Sequence, residues 1–319
     1  MLFRISGKSG SDELEILSFI MKTEEMIRTK IKIFKFLESN DIRYINKESP
    51  EENSIYILVN IGKNYFFSYE FINKKLTELV VTNEVGVSPA LQNLTKNLII
   101  FIGGSSSRTV NIFDTNIDKW YYIGEMNSIR IGGCAILNSE FNIVYICGGK
   151  NEDGDNSLEI EYFKLIYEEN SGVATASNDL TPIDNGQSES SKLDDKENLH
   201  SLSSSFYPTE IKTKTPIKND FLLRKSYPVI VPLLHGNSYL ICGGDNIFGP
   251  TKSCVLFDTG KDYICLASSE LPKFTNNSNQ MAARYKSSNF YFYSSDNAVI
   301  SYSYLDGLFE LIETDITDE

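Results

Sequence analysis

The sequence contains few of the residues that metal and nucleophilic chemistry use most. Its 319 residues include two histidines, five cysteines and one tryptophan. Two histidines cannot form a three-histidine zinc site, and no Cys-x-x-Cys pair compensates. Because the cysteines are odd in number and not closely paired, we expect a reducing compartment rather than a disulfide framework. We therefore expect no enzyme, no catalytic residue, no metal site and no cofactor.

Positive charge and long apolar runs are also scarce. Thirty Lys and Arg residues face 43 Asp and Glu residues, which gives a formal charge of −13. Such a charge opposes binding to nucleic-acid phosphates and to anionic membrane surfaces. No apolar run approaches the roughly 18–20 residues of a spanning helix, and the first ten residues lack the apolar core of a signal peptide. We expect a cytoplasmic protein, with the nucleus left open, that binds neither nucleic acid nor membrane and is monomeric by itself.

Apolar residues are plentiful, at 41% of the chain, and part of them repeat. Three short apolar runs end in a glycine pair: Gly103-Gly104, Gly148-Gly149 and Gly243-Gly244. Each run is too short for a buried helix and predicts a buried strand. The glycines then provide a backbone with positive φ, or a close backbone approach, where the strand ends.

A hairpin follows the glycine pair in several copies. The copies are Val110–Asp114 with Lys119–Ile123, Cys254–Asp258 with Tyr263–Leu266, and Ile300–Leu305 with Leu308–Ile312. In the last copy, Asp306-Gly307 predicts a two-residue hairpin turn. Diverged copies precede these, with Ile55–Asn60 as the apolar strand of one and Ile31–Glu38 paired with Ile42–Ile45 in the other. Glu13–Ile20 would precede that pair, so six copies are visible.

One stretch breaks this regularity. Residues 168–220 are rich in Ser, Asn, Asp and Glu and lack apolar periodicity. They predict a low-complexity, largely disordered insertion in the fourth copy, between its strands and the fifth copy.

The repeat resembles the kelch repeat: an apolar strand, a glycine pair, a Tyr/Phe-Asp strand and, at Trp120, a tryptophan about six residues later. The resemblance implies that residues 1–319 form one all-β domain, a six-bladed β-propeller of four-stranded antiparallel sheets. An aromatic stripe would then pack between the blades: Tyr69, Phe113, Phe163, Phe257 and Tyr304, with Leu37 in the first copy. Leu2–Ile5 would enter the first sheet, and the ring would close by packing of the first blade against the last.

A kelch-type propeller implies an adaptor or scaffold role. The loops after the glycine-pair strands emerge on one face and have no packing duty, so they can contact a protein or peptide. The candidate contacts are Ser105, Arg108, Glu152, Asp153, Asp155, Asp245, Asn246, Phe248 and Asp296. Because an acidic loop contributes, we expect the partner to be basic.

Other interpretations stay open. The resemblance also allows a copper oxidase or another metal-dependent enzyme that acts on a small molecule. Asn151–Asn156 places carboxylates around a glycine as a calcium loop does, but it lacks the distal glutamate, so a solvated acidic turn is the simpler interpretation. Thr181 and Thr215, each followed by proline, would be regulatory phosphorylation sites in the insertion.

Overall fold

The described residues form an all-β protein. A computed structural model describes residues 2–7, 12–33, 42–46, 54–60, 63–82, 84–140, 142–157, 159–168, 205–208, 212–213, 220–233, 237–275, 283–285, 288–312 and 316–318. Within these ranges the helical content is one 3-10 turn, Asp220–Leu223. In this part of the chain, no helix has the length and apolar character that crossing a membrane requires.

Four of the sheets contain four consecutive antiparallel strands each. Sheet 2 contains Ile42–Asn46, Ser54–Asn60, Asn64–Glu70 and Lys75–Leu79. Sheet 3 contains Ala90–Thr95, Leu98–Ile102, Thr109–Asp114 and Lys119–Glu125. Sheet 5 contains Val229–Pro232, Ser238–Cys242, Cys254–Asp258 and Tyr263–Leu266. Sheet 6 contains Ala283–Tyr285, Asn289–Tyr293, Val299–Ser303 and Leu308–Ile312.

Sheet 1 combines strands from distant parts of the sequence. Its strands, in spatial order, are Leu2–Gly7, Glu13–Ile20, Glu25–Lys32 and Ile316–Asp318. The last of these pairs in parallel with Glu25–Lys32, whereas the others pair antiparallel. The entry of Leu2–Ile5 into this sheet is confirmed. Closure by side-to-side packing alone is wrong, because a strand from the far end of the sequence completes the sheet.

The outer strands of sheet 4 come from residues that follow the fourth copy of the repeat in the sequence. Its strands are Cys134–Asn138, Ile143–Cys147, Glu161–Glu168, Ser205–Pro208 and Lys212–Thr213. The last two both pair with Glu161–Glu168. They lie inside the range 168–220, where the sequence predicted little regular structure, and both belong to the fourth sheet, the blade in which the insertion was predicted. Residues 169–204, with Thr181, and residue Thr215 lie outside the described residues.

The core consists of apolar clusters between consecutive sheets. In the described ranges, one such cluster joins each sheet to the next, and another joins sheet 6 to sheet 1. Side chains alternate along each strand, so Ile99 and Phe101 pack toward sheet 2 while Ile100 and Ile102 pack toward sheet 4. Continuous apolar runs are typical of strands that are buried on both faces. This arrangement is consistent with a β-propeller.

The predicted aromatic stripe lies in these clusters. Tyr69, Phe113, Phe163 and Phe257 are buried, each in a different cluster, and the half-buried Tyr304 packs against a fifth. The last stripe position, Leu37, lies outside the described residues. The repeat alignment therefore identified positions that face a neighbouring sheet.

The predicted first hairpin is wrong. Ile31 lies in the strand Glu25–Lys32 of sheet 1, whereas Ile42–Asn46 is the first strand of sheet 2. The hairpin prediction assumes that each copy of the repeat is contiguous in sequence. Sheet 1 breaks that expectation, since Ile316–Asp318 takes the outer position.

The last hairpin has a longer turn than predicted. Ser303 pairs with Leu308, so residues 304–307 form a four-residue loop in place of a two-residue turn at Asp306-Gly307. The final residue of this loop has positive φ, and so do the final residues of the corresponding four-residue loops: Lys74, Asp118 and Asp262. Gly307 thus occupies a position that every described copy of the loop keeps left-handed.

Closure of sheet 6 onto sheet 1 is testable by deleting residues 1–6. The Arg4 guanidinium donates to the main-chain carbonyls of Ser294 and Ser295, and Leu2 packs beside Tyr293. We expect the deletion to lower the melting temperature by at least about 10 °C, because buried apolar side chains are lost with the strand. Arg4→Met, which keeps the strand, should cost less. An unchanged melting temperature after the deletion would contradict this closure.

Candidate functional site

The loops that follow the second strands of sheets 3 to 6 lie at one end of the molecule. Equivalent strands run in the same direction in successive sheets, so their ends meet on the same side. We call this side the loop face; it contains residues 103–108, 148–157, 159–160, 243–253 and 294–298. The turns between third and fourth strands, such as 304–307, lie at the opposite end, which we call the hairpin end.

The glycine pairs shape the loop face as predicted. All six glycines have φ between 60° and 103°. A Cβ on Gly148 would lie 2.0 Å from the Lys225 carbonyl oxygen, and one on Gly104 would lie 2.5 Å from that of Val87. The Gly149 N–H also donates to the Lys225 carbonyl at 2.8 Å. The glycines therefore allow each loop to lie directly on the entry segments beside it.

A first pocket, the serine pocket, opens between sheets 2 and 3. It has a volume of about 600 Å³ and includes Ser105 and Arg108 in its lining. The Arg108 guanidinium forms an ion pair with Glu125 at 2.9 Å, and the Ser107 hydroxyl donates to the Glu84 carbonyl at 2.7 Å. Polar groups of this pocket thus already pair within the protein.

A second pocket, the acidic pocket, lies between the 150–156 loop of sheet 4 and the 245–250 ribbon of sheet 5. Its volume is about 500 Å³, and its lining includes Lys150, Asp155, Asn156, Asp245 and Asn246. The Asn156 side chain is 7% exposed, and its Oδ1 is buried with no hydrogen-bond partner among the described residues. The Asp245 Oδ1 is also buried without a hydrogen-bond partner among the described residues. Both walls of the pocket therefore carry a buried, unsatisfied acceptor.

Internal hydrogen bonds hold the 150–156 loop in place. The Asp155 N–H donates to Asn151 Oδ1 at 2.8 Å, and the Asn151 N–H donates to the Asp155 carbonyl at 2.8 Å. Glu152, Asp153 and Asp155 are exposed, as a solvated acidic turn requires. Across the described ranges, no group of three or more His, Cys, Asp and Glu side chains could hold a metal ion.

The 245–250 ribbon carries an apolar tip beside the acidic pocket. Asp245–Asn246 pairs with Gly249–Pro250, and the turn between them presents Ile247 at 72% and Phe248 at 90% exposure. The Phe248 N–H donates to Asn246 Oδ1 at 2.8 Å, which fixes the turn. Predicted candidates Asp155, Asp245, Asn246 and Phe248 therefore lie around one site.

Asp296 differs from these residues because an internal cation already pairs with it. Its carboxylate lies 2.7 Å from the Lys273 ammonium and also accepts from the Ser294 hydroxyl. These hydrogen bonds, with Lys273 contributing most, lower the pKa of Asp296 to about 2. Arg108 is likewise paired, with Glu125, and neither Asp296 nor Arg108 lines the acidic pocket.

A buried ion pair that the sequence analysis missed supports the loop face. The Arg130 side chain is 1% exposed and donates to Glu161 Oε1 from Nε at 3.1 Å and from Nη2 at 3.0 Å. The main-chain carbonyls of Gly148 and Glu159 accept from the same guanidinium, and the Asn127 N–H donates to the Glu161 carboxylate. The pair ties the entry segment of sheet 4 to its third strand.

Lys225 occupies the position in sheet 5 that Arg130 occupies in sheet 4, as the pairing of the backbone shows. Arg130 and Lys225 each precede a residue that bridges to a loop-face strand end, Ile131 to Lys150 and Ser226 to Asp245. Instead of a carboxylate, the Lys225 ammonium contacts the carbonyl and hydroxyl oxygens of Ser253 at 2.7 and 3.0 Å. Burial lowers the pKa of Lys225 to about 8.

The cysteines differ from the expectation of unpaired thiols. Cys242 and Cys254 are directly opposite each other on adjacent strands of sheet 5 and form a disulfide. Cys134 and Cys147 are buried. The pairing could not be seen in the sequence, because strand register brings the two sulfurs together. The two histidines, His200 and His235, lie outside the described residues.

We expect Glu161→Gln to destabilise the protein strongly. The substitution keeps the side-chain shape but leaves the buried Arg130 without a counter-charge, which should cost about 3–5 kcal/mol of the free energy of unfolding. Urea unfolding measures the loss. The matched control is Glu125→Gln, which breaks the exposed pair with Arg108 and should cost less than about 1 kcal/mol. Similar small losses in both variants would contradict the role of the buried pair.

The stability should rise with pH because of Lys225. Its pKa is about 8 in the folded protein and near 10.5 when solvated, so the unfolded chain binds more protons between these values. The free energy of unfolding therefore gains up to about 1.4 kcal/mol per pH unit in this window. Lys225→Met removes the contribution. Urea unfolding at pH 7.5, 8.5 and 9.5 should show a shallower pH dependence in the variant; equal slopes would overturn the assignment.

Similarity to known proteins concerns the fold. No protein family and no curated protein matches the sequence. The structure of YjhT is similar with a TM-score of 0.60 at 8% identity, over 98% of this chain and 97% of that one. A fungal alcohol oxidase of the AA5 family, solved in complex with copper, has a TM-score of 0.54 at 12% identity, over 94% of this chain and 55% of that one. At such low identities the likeness shows an all-β, β-propeller-like fold.

Proposed function

We propose that this protein is a six-bladed, kelch-type β-propeller that binds a protein or peptide partner through its loop face and has no catalytic activity. Sheets 1 to 6 would be the blades. The repeated glycine pairs and the burial of each sheet between two neighbours support the proposal. Such a protein would act as an adaptor or scaffold.

The observation that carries the binding role is the exposed tip of the 245–250 ribbon. Ile247 and Phe248 project large apolar side chains into solvent directly beside a polar pocket. Burying a phenylalanine side chain is worth about 1.5–3 kcal/mol, and interface hot spots are typically apolar or aromatic groups next to polar ones. A partner that covers the tip would bury both side chains.

The fold likeness to a copper-containing oxidase supports one alternative, a metal-dependent enzyme that acts on a small molecule. Copper sites are built from imidazole, thiolate and related ligands. The whole sequence has two histidines, and the described residues show no cluster of metal-ligating side chains that would fit such a site. Stoichiometric copper or iron in the purified protein would favour this alternative over the adaptor.

Selection of peptides from a displayed random library tests the binding role. We expect the selected peptides to bind wild-type protein and to lose at least about tenfold in affinity with Phe248→Ala, because the variant truncates the apolar tip. The matched control is Leu305→Ala, which removes a 77% exposed apolar side chain at the hairpin end and should leave affinity unchanged. Peptides that are insensitive to Phe248→Ala, or equally sensitive to both variants, would refute binding at the loop face.

A further inference from the structure

We infer that the acidic pocket binds one cationic side chain of a peptide, an arginine in preference to a lysine. The inference deepens the proposed function, on which it rests for the identity of the partner. It names the chemistry that the loop face recognises and the residues that recognise it.

Two residues of the pocket carry unsatisfied acceptors. Asn156 Oδ1 and Asp245 Oδ1 are buried, and neither receives a hydrogen bond from the part of the chain that the structure describes. A buried acceptor without a donor is costly, so a ligand that provides donors gains more here than at an exposed site. The two residues line separate walls of the pocket, since Asn156 belongs to the 150–156 loop and Asp245 to the ribbon. A ligand that satisfies both must carry several donors.

The charge of the pocket favours a cation. The pocket lining contains two carboxylates, Asp155 and Asp245, and one ammonium group, Lys150. The balance is one negative charge, which a single cation neutralises. The nearby Glu152 and Asp153 are exposed and add to the negative potential around the entrance.

The shape of the cationic group favours arginine over lysine. A guanidinium presents five N–H donors in a planar fork, whereas an ammonium is a compact and strongly hydrated point charge. Such a fork can donate to two acceptors at the same time, and acceptor-bearing side chains line both walls of the pocket, Asn156 on one and Asp245 on the other. The volume of about 500 Å³ lies within the 300–1,000 Å³ that is usual for small-ligand pockets, so one extended side chain fits.

The apolar tip explains why the cation should belong to a peptide. Ile247 also lines the pocket, and the neighbouring Phe248 is almost fully exposed. A residue beside the arginine in a bound peptide could cover Phe248. A free metal ion is a poorer match, since Ca²⁺ takes six to eight oxygen ligands and no described cluster of three acidic or related groups exists.

Titration with N-acetyl-arginine amide, followed by NMR, tests the pocket without any partner. We expect saturable shifts of the Asn156 side-chain amide and of the Asp245 and Asn246 backbone amides. N-acetyl-citrulline amide, which has nearly the same shape but no charge, should bind at least about tenfold more weakly, because hydrogen bonds to charged groups are the stronger ones.

Asp245→Asn provides the decisive variant, because it removes the charge with almost no change of shape. It should weaken arginine-amide binding at least about tenfold and leave the melting temperature close to that of wild type. The control is Asp262→Asn at the hairpin end, which should bind the probe as wild type does. If the variant does unfold, the citrulline comparison on wild-type protein still decides.

Several outcomes would overturn the inference. These are no saturable shift, equal binding of the arginine and citrulline probes, unchanged binding by Asp245→Asn, or Ca²⁺ shifting the same resonances at lower concentration than arginine amide. The proposed function can fail separately. Arginine-amide binding without any loop-face peptide would keep the pocket assignment and refute the adaptor role, whereas loop-face peptides without a basic residue would do the reverse.

Discussion

The structure depends on burying both faces of every sheet. The strand Leu98–Ile102 directs Ile99 toward sheet 2 and Ile100 toward sheet 4, and neither side could face water without a large loss of hydrophobic stabilisation. A row of such sheets would leave two faces exposed at its ends. The contacts between Tyr293 in sheet 6 and Leu2 in sheet 1 remove both. Closure is therefore part of the core and not an addition to it.

The loop face is free to bind because other groups hold the strand ends. Glycines with positive φ let backbones pack closely, and the Arg130–Glu161 pair fixes the entry to sheet 4. Buried polar groups in folded proteins are nearly always hydrogen-bonded. The acidic pocket departs from that rule at Asn156 and Asp245. Places where a folded protein leaves such local rules unsatisfied are often functional sites, and this pocket is one of them.

The sequence predicted local structure well and distant pairing poorly. The boundaries of Cys254–Asp258 and Tyr263–Leu266 were predicted to the residue, because the apolar run, turn and strand are adjacent in the chain. The glycine pairs were predicted from the same local logic. By contrast, several contacts depend on elements that are separate in sequence. These are the disulfide partner of Cys242, the ion-pair partners of Arg108 and Asp296, and the burial of the Asn156 amide oxygen. No local pattern reports them.

The amino-acid sequence alone determined the all-β character, the repeated sheets and the positions that face a neighbour, since alternation of side chains and left-handed glycines are properties of a short segment. Only the tertiary structure decided that Ile316–Asp318 completes sheet 1, that Ser205–Pro208 joins sheet 4, and that the 150–156 loop meets the 245–250 ribbon. These pairings are chosen by which edges and loops come close once all sheets pack together. That proximity is a property of the assembled core and not of any one segment.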